Sequence, residues 1–76
     1  MPIQVIPTRF VKTYIPTPIS LPDDEWQGQT VAALLAHLAI PTEITLSILV
    51  NGERQAPNYA LRAGDVVKLI PLLTGG

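Results

Sequence analysis

The chain has 76 residues, 47% of them apolar and 14% charged, with a net charge of −1 and no cysteine. That length makes one domain with a small core and leaves no room for a deep substrate pocket beside it, while the apolar fraction excludes a disordered chain. Five scattered basic residues give no patch for a nucleic acid, and without cysteine there is no disulfide framework, thiolate metal site or side-chain persulfide.

No apolar run approaches the roughly 18 residues that span a bilayer. The start, Met1-Pro2-Ile3-Gln4, lacks the basic and apolar segments of a secretory signal, so a cytoplasmic location is expected. Ile3 to Ile6 reads as a strand that continues past Pro7 through Arg9 to Ile15, with Pro7 marking an edge, bulge or break because it has no ladder donor. Ile19-Ser20-Leu21, bracketed by Pro16, Pro18 and Pro22, reads as a second strand forming a hairpin with the first. Asp23 to Gly28 reads as a loop.

The spacing of Val31, Leu34, Leu35 and Leu38 at i, i+3, i+4 and i+7 predicts a helix with one apolar stripe. Thr30 is a suitable N-cap, alanines favour the helical state, and Pro41 disfavours helical geometry at Ile40, ending the helix near Ala39. Thr45 to Val50 alternates and is β-branched, which predicts a strand, and Asn51-Gly52 predicts a tight turn. Arg54 to Leu61 is irregular. Ala63-Gly64-Asp65 turns into a last strand, Val66 to Pro71, where proline ends the ladder. A helix must bury its stripe against something, and a sheet supplies the face. The expectation is an α+β domain over residues 1–71, a mixed sheet of four to five strands on one main helix, followed by a flexible tail over residues 72–76.

That tail, Leu72-Leu73-Thr74-Gly75-Gly76, ends in two glycines. Without a Cβ, Gly75 and Gly76 pass through a slot too narrow for other residues. Counted from Pro71, the six terminal residues reach about 20 Å when extended, so the head stays outside a partner enzyme while the tip enters its active site. The terminal carboxyl of Gly76 is the leading candidate for the reactive group; an incidental, frayed end is the alternative.

Three stretches resemble the MoaD/ThiS sulfur-carrier family, which has the ubiquitin-like β-grasp fold: Thr30 to Leu38 the family's helix, Val50-Asn51-Gly52-Glu53 its strand and turn, and Leu61 to Gly76 its L-x-x-G-D-x-V-x-L-I-P-x-x-x-G-G ending. They fall within Thr30 to Gly76, about two thirds of the chain. The N-terminal part departs, with Ile6-Pro7-Thr8-Arg9-Phe10 where many molybdopterin-type members carry a phenylalanine-alanine-x-leucine-arginine stretch. The resemblance implies a carrier rather than an enzyme. A partner adenylating enzyme would activate Gly76 with ATP and Mg²⁺, neither held by this chain. A sulfur donor would convert the adenylate to a thiocarboxylate, and a synthase would accept the sulfur in molybdopterin- or thiamine-type biosynthesis. Gly75, Thr74, Leu73 and Leu72 would enter the partner's active site. The rivals are a ubiquitin-like modifier of lysines and a passive β-grasp interaction domain.

With Val67 and Leu69 inward, Val66, Lys68 and Ile70 point outward. Leu49 opposes Leu46, Ile48 and Val50 in the same way. Outward Val66, Ile70 and Leu49, with Lys68 among them and Leu72 and Leu73 beside them, predict an exposed patch for a partner protein; the alternative is a second small core under the Arg54–Leu61 segment. Elsewhere the ordinary readings prevail. His37 has no second imidazole or thiolate for a metal site. Asp23, Asp24 and Glu25 form a solvated acidic turn. Ser20 and Ser47 have no recognisable base. Trp26 packs on the core, and Arg9, Arg54 and Arg62 are surface charges.

Overall fold

In a computed structural model, which describes residues 1–41 and 44–72, five strands form one mixed sheet with helices against a single face. In chain order these are β1 (Ile3–Pro7), a 3-10 turn (Arg9–Thr13), β2 (Ile19–Leu21), α1 (Asp23–Trp26), α2 (Val31–His37), β3 (Leu46–Val50), β4 (Glu53–Arg54) and β5 (Val66–Pro71). The strand order is β2-β1-β5-β3-β4. β1 and β5 run parallel in the interior, with Val5 opposite Val67 and Pro7 opposite Leu69; the other pairs are antiparallel. This is the ubiquitin-like β-grasp architecture expected from the sequence.

Alternation sorts each strand into two faces. Ile3 and Val5 of β1, Ile48 and Val50 of β3, and Val67 and Leu69 of β5 are buried with Val31 and Leu34 of α2. Leu35 and Leu38, also in the stripe, are half-buried and pack at its margin. Thr30 caps α2 as expected, its hydroxyl accepting from the Ala33 N–H at 3.1 Å. Two other first-turn donors, Val31 and Ala32, are satisfied by the carbonyls of Tyr59 and Pro57. The irregular segment after β4 therefore closes the helix start, and its Leu61 enters the one core. Among the described residues it forms no second core over the outer face.

Two expectations are corrected. Arg9 to Ile15 is not strand. Thr8 closes the β1–β5 pairing by donating its N–H and hydroxyl to the Leu69 carbonyl, and Arg9 then turns the chain with φ +51°. The 3-10 turn that follows buries Val11, and Ile15 four residues on is buried with it, while Thr13 between them is exposed. A strand would put all three on one face, whereas a helical turn brings only the first and last together. Asp23 to Trp26 is likewise a single helical turn rather than loop. At the far end of α2 the Ala39 N–H donates to the Ala36 carbonyl and the Ile40 N–H to that of Leu35, with Ala39 at φ +58°. This is a Schellman motif with alanine where glycine is usual, and it ends the helix before Pro41 does.

Candidate functional site

β5 is the strand that carries the tail, and both its ends are fixed. At its start the Asp65 carboxyl, 4% exposed, accepts from three donors: Asn51 Nδ2 at 2.9 Å, the Tyr59 hydroxyl at 3.0 Å and the Arg62 N–H at 2.9 Å. Asn51 returns to β5 by accepting from the Val66 N–H through Oδ1 at 3.0 Å and donating its own N–H to the Val66 carbonyl. Asn51 and Gly52 both have positive φ, 54° and 85°, as the tight turn requires. Gly64, at φ +81°, turns the chain into Asp65. Burial, and then donation to Asp65, raise the Tyr59 hydroxyl above its ordinary pKa of 10.0. The clasp was not recognised in the sequence, although two of its members lie in the Asn-Gly and Gly-Asp pairs; nothing local announces Tyr59 as the third.

At its far end β5 keeps its ladder to the root of the tail. Pro71 pairs with Leu46, and the Leu72 N–H donates to the Thr45 carbonyl at 2.9 Å. Leu72 itself is 40% exposed. Leu73, Thr74, Gly75 and Gly76 lie outside the described residues.

Along β5, Val66 and Lys68 are exposed, Ile70 is half-buried, and Val67, Leu69 and Pro71 are buried. Leu49 of β3 is half-buried between buried Ile48 and Val50. The register brings these residues onto one face: Ile6 pairs with Lys68, Lys68 with Leu49, and Leu49 with Arg54. A shallow recess of about 330 Å³ lies there, lined by Ile6, Leu49, Asn51, Gly52, Val66 and Lys68. The 3-10 turn packs against β5 and exposes Phe10 and Tyr14, 44% and 41% accessible. A second groove, about 370 Å³, lies on the helix side between α2 and β3, and among the described residues no ionisable side chain lines it.

The other weighed residues lie apart. The Asp23 carboxyl, which pairs with the N-terminal ammonium at 2.9 Å, is held below 3.8 by that hydrogen bond. Trp26 is partly buried against the core and meets His37 edge-on, ring centroids 4.9 Å apart. Among the described residues no group of three or more His, Asp or Glu could hold a metal ion, and no helix is long and apolar enough to cross a membrane.

The sequence model of the ThiS family matches residues 14–76. The structure is similar to the crystal structure of SAMP1 from Haloferax volcanii, with 23% identity, a TM-score of 0.71 and full coverage of both chains. It is also similar to the solution structure of the Haloferax volcanii HVO 2177 protein, with 23% identity and a TM-score of 0.65, covering 100% of this chain and 87% of that one. At that identity the likeness establishes the fold. No curated protein sequence matches significantly.

Proposed function

The chain belongs to the ThiS family of ubiquitin-like sulfur carriers, and from that premise we propose that its working group is the Gly76 carboxylate, loaded with sulfur by a partner enzyme. The observation that carries this reading is the family match itself, which runs through Gly76. A sheet that fixes β5 at both ends and leaves Leu72 exposed at the root of the tail supports it.

An α-carboxyl group has a pKa near 3.3–3.7 and is ionised at neutral pH, which makes it a poor electrophile. In an adenylating partner the carboxylate oxygen attacks the α-phosphorus of ATP. Pyrophosphate leaves with Mg²⁺, and an acyl-adenylate remains. Sulfide, or the terminal sulfur of a persulfide, then attacks the carbonyl carbon and AMP leaves. With a persulfide donor, a thiol reduces the remaining S–S bond and frees the thiocarboxylate. The thiocarboxylate sulfur is nucleophilic and passes to an intermediate held by a synthase, in cofactor biosynthesis of the molybdopterin or thiamine type. ATP and Mg²⁺ belong to the partner. This chain's own residues present the tip and dock the head, and the outer face around Val66, Lys68, Ile70 and Leu49 is the docking surface.

Incubation with the activating enzyme of the same organism, ATP, Mg²⁺ and sulfide, followed by intact mass measurement, tests this. The expected product carries one sulfur in place of one oxygen at Gly76. Deleting Gly76 abolishes the reaction and leaves the fold intact. Isopeptide conjugates to lysines in place of a thiocarboxylate assign a modifier instead, and a chain that neither releases pyrophosphate nor gains sulfur removes the carrier reading.

A further inference from the structure

We infer that the outer sheet face docks a protein surface bearing carboxylates, which meet Lys68 and Arg54 across an aliphatic contact. The inference deepens the proposed function, since it gives the chemistry of the partner that the docking surface accepts.

The register supplies the geometry. Across four strands one outward row reads Ile6, Lys68, Leu49, Arg54, alternating aliphatic and cationic side chains. Residues directly opposite in a sheet share a face. Two strand spacings separate Lys68 from Arg54, placing their backbone positions roughly 10 Å apart. Val66 extends the aliphatic area one pleat away and lines the recess beside Lys68.

The charges on this face are uncompensated. The net charge is −1, yet no outward strand position among the described residues carries a carboxylate. Glu53 pairs with buried Val50 and so falls on the helix side. Asp23, Asp24 and Glu25 lie on α1, and Asp65 is buried in its clasp. Among the described residues the one ion pair is that of the N-terminal ammonium with Asp23. Among the described residues Lys68 and Arg54 therefore have no carboxylate partner.

Covering this face strips water from an ammonium framed by Ile6, Leu49 and Val66. Burying a charge without a partner is strongly unfavourable, so the covering surface must return an anion to Lys68. Two carboxylates at matching separation, with apolar side chains between them, satisfy both cations and the aliphatic rows. A nucleic acid fits poorly, because only two cations are present on the face and hydrocarbon lies between them.

The test is the KM of this chain in ATP–pyrophosphate exchange catalysed by the activating enzyme of the same organism. For the folded Lys68→Glu/Arg54→Glu variant, KM is expected to rise about tenfold or more with kcat retained, and the salt dependence of KM to flatten. Gln27→Glu, which adds negative charge away from this face, leaves KM unchanged. If charge reversal prevents folding, Lys68→Met/Arg54→Met carries the same expectation in milder form. Independently, carbodiimide coupling of the wild-type complex should join Lys68 to an Asp or Glu of the enzyme. An unchanged KM, or coupling that spares Lys68, overturns the inference while leaving the carrier reading intact. A wild-type chain that is never adenylated overturns both.

Discussion

Asp65 holds three donors on one carboxyl group, one from the Asn51 turn and two from the connection between β4 and β5. Asp65→Ala strands the Asn51 amide, the Tyr59 hydroxyl and the Arg62 N–H in a site with little water, and is expected to cost about 2–4 kcal/mol in urea unfolding. Tyr59 adds a pH dependence. Its folded pKa lies above the ordinary 10.0 because burial, and then donation to Asp65, favour the protonated form. Its contribution to stability is therefore complete below pH 10 and lost as pH rises through the folded value. Unfolding free energy measured from pH 8 upward should decline more steeply above pH 10 in the wild type than in Tyr59→Phe. Neighbours on β5 give a further contrast. Leu69 is fully buried, so Leu69→Ala should cost about 2–5 kcal/mol. Val66, 38% exposed, should tolerate alanine to within about 0.5 kcal/mol.

α2 is short and depends on both its ends. Thr30→Ala removes the cap from the Ala33 N–H and should cost about 1 kcal/mol. Ala39 occupies a left-handed position, so Ala39→Gly relieves its Cβ and should stabilise by about 0.5–1 kcal/mol; chemical denaturation of the two variants reads opposite shifts. This helix was legible in the sequence because its cap and its 3.6-residue stripe agree, and β3 and β5 were legible because alternation and the flanking turns agree. The Arg9–Ile15 segment was not. Its β-branched and aromatic residues suit a strand, and tertiary burial of Val11 and Ile15 overrides that preference. For the site, the outward set on β5 follows from a period of two. The Asp65 clasp does not, since its partners Asn51 and Tyr59 arrive from separate segments that only the folded chain brings together. The outward row that ends at Arg54 needed the strand order and register, which no single strand reveals.

For the whole molecule, β1 and β5 come from opposite ends of the chain and pair in parallel inside the sheet. Removing residues 1–7 takes away Ile3 and Val5 of the core and one neighbour of β5, and should abolish cooperative thermal unfolding rather than shift its midpoint. The same placement governs how the head bears a mechanical load. A pull on the C-terminal end acts along the axis of β5, across hydrogen bonds that hold it to β1 on one side and β3 on the other. Those bonds must then give way together in shear instead of opening one after another like a zip. A machine that grips the tip and tugs should meet a brittle, high-force body, so that traction alone does not unravel it.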